Sequence, residues 1–388
     1  MPVRNRLAEM LPEITAWRRD FHANPEILYE VHRTAAKVAE RLRDFGCDEV
    51  VEGVGRTGVV GLIRGRPGAR TIGLRADMDA LPINEATGAD HASTNPGRMH
   101  ACGHDGHTAM LLGAAQYLAE TRNFNGTVVL IFQPAEEGGN GAKAMLEDGL
   151  VDRFGIDEVY AIHNRPGLPV GQFAIRPGPQ LAAADEFAIE VIGVGGHAAE
   201  PNLAVDPLVI ACQIVVALQT IVSRNADPVL QTVVSVTSVE TSSKVFNVIP
   251  ASVSMRGTVR THSPEMRALA ERRIAEIAAA TAQALGGQAE TTYTHGVPVT
   301  INTPENTAFA IEAARTVADG CQESPLVMGG EDFSFMLQVR PGAMIYVGNG
   351  DSAGLHHPAY DFNDETIPAG ASWFVEMVER RLAAPSLG

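Results

Sequence analysis

Two adjacent carboxylates, Glu136 and Glu137, stand where an apolar run ends and a glycine-rich loop begins. One carboxylate can hold a metal ion while its neighbour accepts and returns the proton of the attacking water. Metal-assisted amide hydrolysis requires this division of labour. Two glutamates before a loop more often form an ordinary solvated turn. The pair therefore indicates a hydrolase only if other metal-binding side chains accompany it.

Such side chains occur in four further clusters along the chain. The clusters contain Asp77 and Asp79, then Cys102, His104, Asp105 and His107, then His163, and finally His356 and His357. The second cluster precedes a predicted helix, and the others, like the glutamate pair, follow predicted strands. Because the carboxyl ends of strands in an open α/β sheet converge on one crevice, we expect these side chains to meet there.

The elements that must position these residues alternate along most of the chain. Helical periodicity predicts helices that include residues 7–20, 34–45, 108–121 and 142–148. Short apolar runs predict strands at residues 57–63, 71–74, 127–132, 158–162 and 343–347. This alternation is typical of an α/β fold in which helices flank a mainly parallel central sheet.

The middle of the chain has a different order of elements. Strands are predicted at residues 186–191, 232–239, 252–260 and 289–293, and helices at 207–224 and 264–285. The resulting β-α-β-β-α-β order is that of a ferredoxin-like α+β unit. We therefore predict a discontinuous catalytic domain, residues 1–181 and 297–388, with an inserted domain at 182–296 that can move about its two connections.

Composition narrows the class of protein and partner. With 388 residues, 45% of them hydrophobic, two domains are expected. A net charge of -16 without a basic cluster argues against nucleic acid and anionic membranes, and favours small molecules. The four cysteines show no CxxC spacing, which favours a reducing cytoplasm. The longest apolar stretch, residues 208–218, is expected to be too short to span a bilayer.

Eight motifs carry a resemblance to a known family. In chain order they are DMDALP, MHACGHDGHTA, FQPAEEGGNGAKAML, HNRPGLPVG, GGHAAEP, FNVIP, GGEDFSF and LHHPAYDFND. The combination resembles the M20 metallopeptidases, specifically the amidohydrolase branch of hippurate hydrolases and N-acyl-amino-acid amidohydrolases. The resemblance spans nearly the whole chain. It implies a catalytic domain with two metal ions, a smaller lid and dimerisation domain, and a homodimer or dimer-based oligomer.

The resemblance also implies roles for individual residues. Glu136 is the expected general base and acid, and Asp79 is expected to accept a hydrogen bond that orients an imidazole, with Asp77 as a lesser candidate. Thiolate, imidazole and carboxylate together suit Zn²⁺, Mn²⁺, Co²⁺ or Ni²⁺, and five ligands suit two ions per subunit. The implied ligands are Cys102, His104, Glu137, His163 and His356.

The inserted domain supplies three more candidates through the same resemblance. His197 is expected to reach the active site of the partner subunit and to stabilise the tetrahedral oxyanion. Asn247 and Arg260 are expected to bind the substrate carboxylate, for which a guanidinium fork is suited. Asn202 departs from the common GGHAAxPH pattern, which leaves His197 untouched.

Other interpretations of these residues remain open. Cys102 could be a small buried apolar residue, or a catalytic thiol paired with His104 or His107, although His163 and His356 would then have no role. Five further polar residues are not assigned as metal ligands. They could cap a helix, lie in loops, line the cleft or form a surface turn. These are His100, His107, His357, Glu331 and Asp332.

Amide hydrolysis of N-acyl amino acids is the predicted function. A metallo-exopeptidase acting on dipeptides and a non-catalytic metal-binding or ligand-binding relative are the alternatives. Retention of the proposed base and of every proposed ligand favours an enzyme.

Overall fold

A computed structural model describes residues 4–383, which form two compact units. The first unit runs to Gly178 and resumes at Ile301–Pro325 and again from Asp332, and the second contains Pro179–Thr300 and Leu326–Glu331. The sequence assigned residues 326–331 to the catalytic domain. They pack in the second unit instead, because Val327 N donates to Gln180 O at 3.0 Å.

Sixteen strands occur in the described residues. They are β1 (Glu49–Val54), β2 (Gly58–Arg64), β3 (Arg66–Asp77), β4 (Asn125–Gln133), β5 (Glu158–Pro166), β6 (Phe173–Ile175), β7 (Gly178–Leu181), β8 (Ala183–Ile192), β9 (Gly196–His197), β10 (Thr232–Thr241), β11 (Val248–Ile249), β12 (Ser252–Thr261), β13 (Gln288–Thr294), β14 (Thr300–Asn302), β15 (Cys321–Glu323) and β16 (Gly342–Gly350).

Eleven α-helices accompany the strands in the same described part of the chain. They are α1 (Asn5–Glu9), α2 (Leu11–Ala23), α3 (His32–Asp44), α4 (His104–Thr121), α5 (Gly141–Glu147), α6 (Leu150–Phe154), α7 (Pro207–Thr220), α8 (Pro264–Ala284), α9 (Pro304–Val317), α10 (Phe333–Val339) and α11 (Ile367–Arg381).

The first unit is built on an eight-stranded sheet with the order β1-β2-β4-β3-β5-β16-β6-β15. The neighbours β4 and β3, β3 and β5, and β5 and β16 run parallel, which confirms the predicted mainly parallel sheet. All nine residues of β16 are buried, as expected for a strand covered on both faces. The parallel strands bring the ends of β3, β4 and β5 to one edge.

The second unit contains a four-stranded antiparallel sheet with the order β10-β12-β8-β13. Helices α7 and α8 share a hydrophobic core with this sheet. The chain order of its main elements is the predicted β-α-β-β-α-β order. The sequence did not predict the two-residue strands β9 and β11, because two residues carry no periodicity.

Helix α7 extends the apolar stretch at residues 208–218, which the sequence predicted to be too short to span a bilayer. The helix and the π-helical turn that follows, Pro207–Asn225, are together long and apolar enough to cross a membrane by length and composition. A core helix of a soluble protein meets the same criterion. Here Ile210, Ile214 and Leu218 pack into the core of the second unit, while Val209 and Val216 are exposed.

Helix α2 contributes two buried cationic side chains to the start of α4. Arg18 Nη1 lies 3.3 Å from Asp105 Oδ2, and His22 Nδ1 donates to the same oxygen at 2.9 Å. His22 Nε2 lies 3.3 Å from Glu85 Oε1. Burial alone would lower the pKa of His22, but Asp105 and Glu85 outweigh it and raise that pKa to about 9.

Replacing His22 with Gln should remove a pH-dependent part of the stability. The folded chain holds the His22 proton up to about pH 9 and the unfolded chain only to about 6.5, so the stabilisation is complete below pH 6.5 and is lost as pH rises through 9. The His22 proton contributes at most roughly 3 kcal/mol to the free energy of unfolding. Urea unfolding at pH 6 to 10 should show the gap between wild type and variant narrowing with pH. A difference in the free energy of unfolding that does not change with pH would contradict the prediction. The control is His32→Gln, which replaces an exposed histidine.

Candidate metal centre and active site

Strand ends and one helix start place the candidate residues. Asp77 is the last residue of β3, and His163 lies in the buried part of β5. Gly103, with a φ of 87°, precedes α4. A Cβ added there would lie 2.3 Å from Asn164 Nδ2, so only glycine lets α4 approach β5 this closely. His356 has a φ of 64°, and its main-chain N–H donates to Ala101 O at 2.8 Å.

Asp79 joins three of these segments. Its Oδ1 accepts the Glu136 N–H at 3.0 Å, and its Oδ2 accepts the Glu137 N–H at 3.1 Å. His104 Nδ1 donates to the main-chain oxygen of Asp79 at 2.9 Å and lies 3.4 Å from its Oδ1. The carbonyl thus contributes to orienting the imidazole, while the carboxylate holds the turn that carries both glutamates. Burial raises the pKa of Asp79.

His163 presents one ring nitrogen to Cys102. Its Nδ1 donates to Asn164 O at 2.7 Å, which leaves a lone pair on Nε2, and Nε2 lies 3.5 Å from Cys102 Sγ. Burial lowers the pKa of His163 well below its usual value, so the imidazole is neutral. A neutral imidazole with a fixed tautomer is the form that binds a metal ion.

His104 and His356 face the glutamate pair. His356 Nε2 lies 3.3 Å from Glu137 Oε1. His104 Nε2 is buried and makes no hydrogen bond with the described residues, although Glu137 Oε1 lies 3.9 Å away and Glu136 Oε2 lies 4.0 Å away. A buried nitrogen that points at carboxylates without bonding to them fits a site in which a cation lies between the groups.

His107 is engaged on both sides of its ring. Nδ1 donates to Asp77 Oδ1 at 2.6 Å, and Nε2 accepts the Asn164 N–H at 2.9 Å. In this arrangement the His107 ring has no lone pair left for a metal ion. Asp77 is also held by Arg75 Nη1 at 2.7 Å. Burial would raise the pKa of Asp77, but Arg75 and the histidines His104 and His107 hold it well below the usual value.

The thiol of Cys102 lacks the electrostatics of a catalytic nucleophile. Burial raises the pKa of Cys102 well above its usual value, and Glu137 acts in the same direction. Catalytic thiols require the opposite shift. A divalent cation deprotonates a coordinating thiol, so the raised pKa leaves Cys102 available as a metal ligand.

The donor atoms fall into overlapping groups whose members lie within 4.8 Å of one another. Cys102 belongs to two of them, one with His104 and His163 and the other with Glu137 and His356. Soft and borderline donors with a carboxylate fit the transition-metal ions expected from the sequence. These residues therefore fit a pair of adjacent ions.

A second group, His22, His91 and Asp361, has a different character. The Arg18 guanidinium lies 3.3 Å from His91 Nε2 and 3.4 Å from Asp361 Oδ1. A cationic side chain already balances the charge there, so this group does not fit a metal ion.

A buried network behind Glu136 was not predicted. Asp332 Oδ1 accepts from Arg75 Nη2 at 3.0 Å and from Gln133 Nε2 at 2.7 Å, and the Asp332 N–H lies 3.4 Å from Glu136 Oε1. Asp332 is fully buried, so it is not part of a surface turn. The only sequence signal was a pair of acidic residues after two glycines, and burial cannot be deduced from that pair.

The remaining candidates make contacts within their own segments. His357 is exposed, and its Nδ1 accepts the Ala359 N–H at 3.1 Å, which caps its own turn. In the second unit, β9 and β11 pair His197 with Val248, and the Ala198 N–H donates to Asn247 O at 3.0 Å. His197 and Asn247 are therefore neighbours and both are exposed. Arg260 lies on β12, where Nη1 donates to Val259 O at 3.0 Å.

Known proteins resemble this chain over almost its full length. A hippurate hydrolase from Campylobacter jejuni is 40% identical over 380 residues, which cover 97% of this chain and 98% of that protein. An N-acetylcysteine deacetylase from Bacillus subtilis is 37% identical, with coverage of 93% and 94%. A solved dinuclear metal-binding peptidase of the M20 family, also from Bacillus subtilis, is 33% identical, with a TM-score of 0.86 and coverage of 97% and 99%.

Residues 73–380 match the model of peptidase family M20/M25/M40. The matched region includes every candidate ligand and the second unit. The relatives are named hydrolases, in agreement with the predicted class of enzyme. This chain is a hydrolase that belongs to peptidase family M20/M25/M40.

Proposed function

We propose that this enzyme hydrolyses the amide bond of N-acyl amino acids of the hippurate or N-acetyl-amino-acid type, releasing a carboxylate and a free amino acid. The observation that carries the proposal is the contrast between two adjacent glutamates. Glu137 faces His356 at 3.3 Å and groups with Cys102 and His356, whereas the Oε1 of Glu136 lies 3.4 Å from the Asp332 N–H. Similarity along nearly the whole chain to hydrolases of N-acyl amino acids supports the same substrate class.

The proposed ligands are the five donors that the sequence implied, and they would hold two divalent ions. When bound, the ions would polarise the amide carbonyl and make a water molecule more acidic. Zn²⁺, Mn²⁺, Co²⁺ and Ni²⁺ all suit this donor set. The ligand residues are Cys102, His104, Glu137, His163 and His356.

Glu136 is the proposed proton carrier. Its carboxylate takes the proton of the attacking water as the new C–O bond forms, and gives it to the amine nitrogen as the C–N bond breaks. Asp79 restrains this carboxylate through the Glu136 N–H at 3.0 Å, and Asp332 N–H lies 3.4 Å from its Oε1. Restraint on both sides supports proton transfer without a large side-chain movement.

The second unit is proposed to contribute His197 to the site of a partner subunit, with Asn247 and Arg260 binding the substrate carboxylate. A homodimer is supported by the exposed apolar side chains of α7, Val209 at 52% and Val216 at 68% exposure. The outer strand β10 is a second surface through which two copies could associate. Exposure of both His197 and Asn247 is consistent with contact to another chain.

A small-molecule substrate and a cytoplasmic location complete the proposal. The net charge of -16 disfavours nucleic acid as a partner. All four cysteines are free thiols, which suits a reducing compartment.

Glu136→Gln should lower kcat for hippurate hydrolysis by roughly 10²- to 10⁴-fold, because the amide cannot take the proton. Its metal content, measured by plasma mass spectrometry, should equal that of wild type. The control is Glu147→Gln, an exposed residue paired with Lys143. Hydrolysis by Glu136→Gln at a near-normal rate would remove Glu136 from the proton path. A parallel assay on dipeptides distinguishes an exopeptidase.

Glu137→Ala should lose or weaken one of the two ions, because it removes a carboxylate donor from the group with Cys102 and His356. The measurement is metal stoichiometry after dialysis against a weak chelator, with Glu147→Ala as the matched control. Unchanged stoichiometry and affinity would exclude Glu137 from the ligand set.

Mixing His197→Ala subunits with Glu136→Gln subunits should restore activity in hybrid dimers, because one of the two sites would then have both residues intact. Each variant alone should be nearly inactive, and the hybrid should recover at most about half of the wild-type activity. Hybrids isolated with two different affinity tags that show no recovery would argue against a shared site.

A further inference from the structure

Arg165 stands beside the candidate metal centre on the same strand. It lies two residues after His163 on β5, and side chains two apart on a strand project from the same face. Its side chain is half-buried. The Arg165 guanidinium is therefore next to the candidate ligand His163 on the same face of β5.

Two contacts hold the Arg165 guanidinium in place. Its Cζ lies 5.0 Å from the centroid of the Tyr346 ring, and Nη1 donates to Ser324 Oγ at 3.1 Å. The Tyr346 ring in turn lies 6.2 Å from the His163 ring, centroid to centroid. One aromatic ring thus contacts both the guanidinium and the candidate metal ligand, and the long side chain has little freedom left to lose on binding.

Arg165 has no carboxylate partner in residues 4–383, since no Asp or Glu oxygen lies within 4.0 Å of it. Three arginines whose side chains are at most 7% exposed are ion-paired. Arg18 pairs with Asp105, Arg75 with Asp77 and Arg381 with Glu158. A fixed, partly desolvated guanidinium without a counter-charge is suited to an external anion, and its planar fork matches a carboxylate.

We propose that Arg165 is a specificity-determining residue that binds a second carboxylate of the substrate. The preferred substrates are then N-acyl amino acids with a carboxylate beyond the one attached to the α-carbon. This inference rests on the proposed amide hydrolysis and narrows its substrate class. The second carboxylate can belong to an acidic amino acid or to a dicarboxylic acyl group, and the substrates tested must separate these two sources.

The experiment compares charged and neutral substrates in matched pairs. N-acetyl-L-glutamate is paired with N-acetyl-L-glutamine, and N-succinyl-L-alanine with N-butyryl-L-alanine. Arg165→Met should lower kcat/KM for the charged member of one pair roughly ten- to hundredfold more than for its neutral partner, as expected when a charge-assisted hydrogen bond is lost. Arg165→Lys should recover part of the difference, because the charge remains without the fork.

Arg176→Met is the matched control. Arg176 Nη1 also contacts Ser324, donating to its main-chain oxygen at 3.3 Å, but its Nη2 has a carboxylate partner, Glu323, at 3.8 Å. This variant should change both members of a pair to the same extent. Circular dichroism of each variant verifies that the fold is retained.

The pair that responds to Arg165→Met identifies the source of the second carboxylate. Equal losses for charged and neutral substrates in both pairs would overturn the inference. If wild type cleaves none of these substrates and no hippurate, the proposed function fails instead. Arg165 is then tested by calorimetric binding of N-acetyl-L-glutamate and N-succinyl-L-alanine in the Glu136→Gln background. There, loss of affinity on adding Arg165→Met supports the anion site, and unchanged affinity for both overturns it.

Discussion

The candidate site depends on the double use of Asp79. Its carboxylate accepts the main-chain N–H groups of Glu136 and Glu137 at 3.0 and 3.1 Å, and its carbonyl accepts His104 Nδ1 at 2.9 Å. One residue therefore joins the end of β3, the turn after β4 and the start of α4. A buried carboxylate that is satisfied by main-chain donors restrains both glutamates at once.

Charge balance explains the arrangement around this centre. Buried Asp77 and Asp332 share Arg75, and buried Asp105 is balanced by Arg18 and His22. By contrast, the overlapping groups that contain Cys102, Glu137, His104 and His163 include one carboxylate and a buried nitrogen of His104 that makes no hydrogen bond with the described residues. Burial of these groups is costly without a cation, and the candidate ions would supply that charge.

Much of the architecture was predictable because it depends on periodicity. Long apolar runs such as β4 and β16 are buried on both faces, and the β-α-β-β-α-β order of the second unit follows from strand and helix patterns. The β9 and β11 pair and the packing of Leu326–Glu331 with the second unit were not predictable. Both arise from pairing between distant short segments that have no pattern of their own.

The sequence alone determined the chemical types at the site, because thiol, imidazole and carboxylate groups occur in ordered motifs next to strand and helix ends. Only the tertiary structure decided how each group is used. It fully engages His107 between Asp77 and Asn164, and it surrounds His22 with Asp105 and Glu85. It also places the Arg165 guanidinium over the Tyr346 ring. Hydrogen bonding, burial and charge at these residues depend on partners distant in the chain, and local sequence does not specify such partners.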